Sequence, residues 1–140
     1  MSLFLAIYSE WALALLRVFL GALFMARGFP KLKDLRGAGA AMAKEGLRPG
    51  KLFALLFGIL ESFGGLALVL GILTRPVAAL LVLELLLILA LRFIHKENFI
   101  GKNTTGWELD LTLLGAALVL MTAGGGIWQI GEWLSIFLPW

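Results

Sequence analysis

Residues 51–70 carry one carboxylate, Glu61, in the middle of an otherwise apolar run that begins after Lys51. About twenty apolar residues are enough to cross a hydrocarbon layer about 30 Å thick. An ionised group at that depth costs roughly 2.5–3.5 kcal/mol on insertion scales, so it needs a partner or a function. Gly58, Gly64 and Gly65 lie at i−3, i+3 and i+4 from Glu61. Such a small-residue stripe lets a neighbouring helix approach closely. The chain is therefore expected to bury Glu61 against another helix that supplies its partner.

The rest of the sequence repeats this pattern. It is 61% hydrophobic and 15% charged, against about 25% charged in soluble domains. Its apolar runs are continuous rather than alternating, which favours membrane helices over a β-barrel. The absence of cysteine excludes a thiol catalyst or an iron–sulfur cluster in this chain. A single histidine excludes a multi-histidine metal site within one subunit. No nucleic-acid motif accompanies the small net charge of +3. Met1 to Tyr8 has no basic residue, so the first apolar segment reads as a retained span rather than a cleaved signal.

Four spans are expected in one domain over residues 1–140: about 11–29, 51–70, 76–93 and 107–122. The fold class is all-α, an antiparallel four-helix transmembrane bundle with a C-terminal interfacial helix. Pro30 is expected to end the first span. The polar stretch that follows, with Leu32, Leu35 and Met42, suits a short amphipathic helix on the membrane surface. Pro76 suits the start of the third span. Gly124, Gly125 and Gly126 break the fourth, and the tail with Trp128, Trp133 and Trp140 suits the headgroup zone.

All the Lys and Arg residues except Arg17 and Arg75 fall in or beside the first and third loops. The positive-inside rule then puts those loops in the cytoplasm and both termini outside. Counting from Arg27, Lys51 and Arg92 at 1.5 Å per residue, Arg17 and Glu61 lie roughly 15 Å deep and Glu84 roughly 12 Å. Equal depth predicts an Arg17–Glu61 ion pair, with Glu84 as an extra acid in the same layer. A second cluster is expected at the cytoplasmic rim: Arg27, Arg92, His95, Glu108 and Asp110. Glu108 shares a face with Thr112 and Gly115 and is expected to look into the bundle, with Asp110 turned about 200° away.

The ordered pieces resemble the DoxX family of small membrane proteins. They are Leu-Leu-Arg17 with Gly21, Gly28-Phe-Pro-Lys31, Glu61-Ser-Phe-Gly64-Gly65, Leu70-Gly71-Ile-Leu-Thr74-Arg75, His95, and Gly106-Trp-Glu108-Leu109. Glu84 matches no piece of that pattern. The resemblance covers about residues 10–126. It implies a four-helix bundle in a prokaryotic cell membrane and an association with redox work, including thiosulfate:quinone oxidoreductase.

On that reading the chain is a membrane subunit of a quinone-linked oxidoreductase system with no redox centre of its own. Arg17 and Glu61 would bind the substrate, and His95 and Glu108 would be the catalytic, proton-handling groups, since histidine titrates near neutral pH. No covalently bound cofactor or metal is expected, and a quinone is the expected ligand. Expected partners are the bilayer, a soluble redox protein and a second copy of the chain. Three plainer readings stand beside this one: a structural Arg17–Glu61 pair, a non-catalytic anchor or assembly factor, and a carrier of a small solute or proton.

Overall fold

A computed structural model describes residues 2–44, 46–94 and 107–126. They form α1 (Ser2–Lys33), α2 (Leu35–Lys44), α3 (Gly50–Leu70), α4 (Thr74–Ile94) and α5 (Trp107–Ala123), with no strand among the described residues. By length and composition α1, α3 and α4 can each cross a membrane. The fourth expected span, α5, is apolar but shorter, at 17 residues. Phe19, Phe63 and Leu83 are each more than 60% exposed on the outer faces of the three long helices. Side chains of this kind facing outward all along a helix suit lipid, not water. The tail 127–140 and His95 lie outside the described residues.

Contact is greatest between α1 and α3, then between α4 and α5, with α3 also against α4 and α5 returning to α1. One apolar core joins all four: Leu20 and Phe24 from α1, Leu68 from α3, Leu81 and Leu85 from α4, and Leu113 and Leu120 from α5. The buried face of α5 runs through Asp110, Leu113, Leu114, Ala117 and Leu120, while Thr112 and Gly115 are exposed. The small-residue face expected to point inward therefore points outward. The leucine and alanine stripe offers more apolar area to the core and takes Asp110 with it.

Backbone contact sets the register of α1 on α3. A Cβ on Gly21 would stand 2.5 Å from the Gly65 carbonyl oxygen, and one on Gly28 would stand 2.9 Å from the Glu61 Cβ. Helices this close are held by van der Waals packing along glycine-bearing faces. Ala14, Arg17, Gly21 and Gly28 do share the buried face of α1, as their spacing implies.

Pro30 does not end α1. The helix runs on to Lys33, and the Asp34 N–H donates to the Pro30 carbonyl at 3.0 Å. Phe29 and Pro30 face outward, so the ring meets no neighbouring helix, and its cost falls within α1 as one missing N–H and crowding of the carbonyl four residues back. The extra turn lays Leu32 and Lys31 onto Gly58 of α3. Asp34 then caps α2, accepting from the Gly37 N–H at 3.0 Å. The amphipathic α2 turns its apolar face inward: Met42 and Leu47 pack with Ala54 and Phe57 of α3 and Ile88 of α4 in a second, smaller core. At the other end α3 stops in a Schellman turn, with Gly71 at φ 75° and the Ile72 N–H donating to Ala67 at 2.8 Å. The helix after it begins at Thr74 rather than at Pro76. At the end of α5, Gly124 has φ 87°, which stops the helix where the glycine run predicts.

Gly65→Val should force α1 from α3 and destabilise the protein by about 1–3 kcal/mol, the usual penalty of overpacking. Gly115→Ala meets no described residue within 4 Å and should leave stability unchanged or slightly raised. Thermal unfolding of both variants in detergent checks the contrast.

Candidate functional site

Glu61 has no exposed surface, and its carboxylate is matched from α1. The Lys31 ammonium donates to Oε2 at 2.6 Å, and Arg27 Nε lies 3.6 Å from Oε1. Arg27 also donates to Asp110 Oδ1 at 2.7 Å, and Arg92 Nε stands 3.3 Å from Asp110 Oδ2. The result is a chain of charges, Lys31–Glu61–Arg27–Asp110–Arg92, running across α1, α3, α5 and α4. Both carboxylates are almost fully buried, and the three cations keep between 15% and 21% of their side-chain surface. Lys31 also lies 6.0 Å from the centre of the Phe57 ring, in cation–π range. Charges taken out of water need this density of partners, because desolvation otherwise exceeds the attraction.

The expected Arg17–Glu61 pair does not form. Gly28 marks the level of Glu61 on α1, and Arg17 lies roughly three turns further back, about 16 Å along the axis. Arg17 is buried and engaged in contacts of its own. The expectation failed because depth on α1 was measured from Arg27, taken as the end of a helix closed by Pro30. The helix continues, so its last residues, not its middle, reach Glu61. Glu84 does come beside Glu61, as its depth implies.

Asp110 and Glu108 exchange roles as well. Asp110 is 2% exposed and holds two arginines. Glu108 is half-buried, and its Oε2 is buried with no hydrogen-bond partner among the described residues. The rim cluster read from the sequence thus contains the right arginines, Arg27 and Arg92, and the right aspartate. Lys31 was missed: its place at i+3 from Gly28 on the same helical face points to it only once α1 is seen to continue through Pro30.

The cations open onto a cavity of about 220 Å³. Arg27, Lys31 and Arg92 line it together with Ala38, Ala41, Met42 and Ile88. Drug-sized sites begin at about 300 Å³, so this one suits a polar head with a small apolar body. Its wall is cationic and donor-rich, and the α2 helix closes over it. Glu61 lies behind that wall, as the counter-charge of Lys31 and Arg27. Arg17 lies far from it, by the same register. Among the described residues no group of three His, Cys, Asp or Glu side chains is arranged to hold a metal ion.

A small, multi-helical membrane protein with a charged pocket at its basic end is the class these features define. The DoxX family profile matches residues 12–96. The inner membrane protein YqjF of Escherichia coli strain K12 is 32% identical over 120 residues, covering 85% of this chain and 88% of the relative. The chain belongs to the DoxX family and is an integral, multi-pass membrane protein in contact with lipid. No solved structure matches it.

Register makes a direct test possible. Lys31→Met and Glu61→Leu should each destabilise, and the double variant should recover about 0.5–3 kcal/mol of coupling, the range for residues in contact. The Arg17→Met and Glu61→Leu cycle should be additive within about 0.5 kcal/mol. Chemical denaturation in mixed micelles reads both cycles.

Proposed function

We propose that this chain is a membrane subunit of a quinone-linked oxidoreductase system, and that its pocket receives the polar head of the quinone. The observation that carries the reading is the mixed lining of the cavity: Arg27, Lys31 and Arg92 together with Met42, Ile88 and two alanines. The cations can donate hydrogen bonds to carbonyl oxygens, and the apolar lining residues can cover a ring. The chain has no cysteine, so electrons would come from a soluble redox partner. Glu108, whose buried Oε2 has no hydrogen-bond partner among the described residues, and His95 remain the proposed proton-handling groups. Glu61 acts through Lys31 and Arg27 on this reading, holding them in place. Arg17, distant from the cavity, has no role in it.

The same proposal includes the fourth span and the orientation. α5 crosses as the shortest member of a four-helix transmembrane bundle, and the basic end faces the cytoplasm with both termini outside. Its support is the shared core of the four helices and the bias of Lys and Arg toward one end. The alternative, a non-catalytic anchor, draws on the exposed basic residues Lys33, Arg36, Lys44 and Arg48 around α2.

Protein extracted in mild detergent should retain quinone, detected by mass spectrometry, and should bind a short-chain ubiquinone analogue. Arg92→Met should weaken that binding by about tenfold or more, the effect of losing one hydrogen bond to a charged group. Absence of quinone, with a soluble oxidoreductase still co-purifying, would favour the anchor. For orientation, a cysteine at exposed Ala40 should resist a membrane-impermeant thiol reagent in intact cells, and one at Ser2 should react. The reverse pattern would invert the topology.

A further inference from the structure

The charged lining of the cavity is all of one sign. Arg27, Lys31 and Arg92 contribute to it, and among the described residues no carboxylate does. Glu61 and Asp110 pair with these cations, but they are almost fully buried and do not line the cavity. Asp110 holds two guanidinium groups, Arg27 at 2.7 Å and Arg92 at 3.3 Å. Glu61 holds Lys31 together with Arg27. Three cations are thus gathered on two buried acids. Like charges crowded at the edge of a dry region repel one another, and an anion on their open side relieves that repulsion.

The donors in this wall are not used up by the acids behind it. An ammonium carries three N–H bonds and a guanidinium five. Among the described residues Lys31 gives one hydrogen bond, to Glu61 Oε2, and Arg27 gives one, to Asp110 Oδ1. Both side chains line the cavity and keep part of their surface open. A ligand can take their remaining N–H groups without breaking either bond. Carboxylate and phosphate oxygens accept several charge-assisted bonds at once, and the planar fork of arginine matches their geometry. We propose that the cavity is a binding site for an organic oxyanion, a carboxylate or phosphate group carried on a small apolar body.

The rest of the lining sets the body of that ligand. Ala38, Ala41 and Met42 of α2 and Ile88 of α4 offer no side-chain hydrogen bond. A small inorganic ion would leave this surface uncovered, whereas an apolar body covers it, and about 220 Å³ holds no more than a small one. Because Asp110 already holds both arginines and Glu61 holds Lys31, the donors are ordered before the ligand arrives and little freedom is lost on binding. A free organic acid and the head of an anionic lipid present the same chemistry to this wall. The inference shares the cavity with the quinone reading but not its ligand, since a quinone offers neutral carbonyl oxygens. It requires neither quinone nor a redox partner.

Isothermal titration calorimetry of the full chain in neutral detergent tests the site. Benzoate stands for a free acid and dihexanoyl phosphatidic acid for a lipid head. Benzamide and dihexanoyl phosphatidylcholine are their counterparts without net charge. At least one anion should bind about tenfold or more tightly than its counterpart, the effect of a hydrogen bond between charged groups. Whichever anion binds tighter names the source. Lys31→Gln should weaken that binding by a similar factor, while Arg36→Gln and Lys44→Gln, at exposed positions on α2, should leave it unchanged. If neither anion binds wild-type protein, the site is overturned. If each counterpart binds as well as its anion, the oxyanion is overturned and a neutral head, as in the quinone reading, is left standing. If the two α2 variants weaken binding as much as Lys31→Gln does, the anion sits on the outer face of α2 and the cavity is overturned. The first two of these outcomes are read on wild-type protein, so they decide the matter even where a variant does not fold.

Discussion

A carboxylate with no exposed surface must be matched within a few ångströms, and Glu61 sets the geometry of half the molecule by that requirement. Its partners come from the last turns of α1, on either side of Pro30. Glycines at positions 21, 28, 58 and 65 bring α1 close enough for those side chains to reach. Remove the close approach, and Lys31 would span the gap only by leaving its 2.6 Å geometry. Packing of small residues and pairing of charges are therefore one design in the α1–α3 pair, and each makes the other possible.

The same requirement ties the other helices in. Arg27 cannot serve Glu61 alone, because it stands closer to Asp110. Asp110 in turn holds Arg92. Four helices thus meet through alternating charges at one end and through a leucine-rich core at the other. Of the two, the charged end is less tightly closed: it contains a cavity, and the three cations in its wall keep some contact with solvent. Apolar packing fixes the helices, and the charged end is left partly open.

Much of this was legible in the sequence. The helices fall near their expected positions, the glycine face around Glu61 is buried against a neighbour, and Glu84 lies beside Glu61. Arg27, Arg92 and Asp110 could be grouped because each lies near a helix end on the same side. What could not be read was register. A proline after an apolar run is an ordinary stop signal, and nothing in the local sequence shows that Pro30 faces outward, where its ring disturbs no neighbour. Ending α1 there shifts its register by several residues and substitutes Arg17 for Lys31. The inward face of α5 was misjudged for a related reason. Small residues mark close approach only where another backbone waits, and at Gly115 none does. The cavity was invisible because it depends on α2 folding back onto α3 and α4, a tertiary event with a weak local signature.

The passage of α1 through Pro30 also bears on how the protein is made. Synthesis proceeds from the N-terminus, so Arg27 and Lys31 leave the ribosome before Glu61. Long basic side chains near a helix end can extend toward the headgroups while they wait. A glutamate in the middle of α3 has no such reach. The chain lays down its cations first, where lipid phosphates can hold them provisionally, and delivers the buried acid to a site already charged to receive it. A permuted chain with α3 ahead of α1 would present the acid to lipid with no cation in place, so the order of the helices is itself part of how this protein enters a membrane.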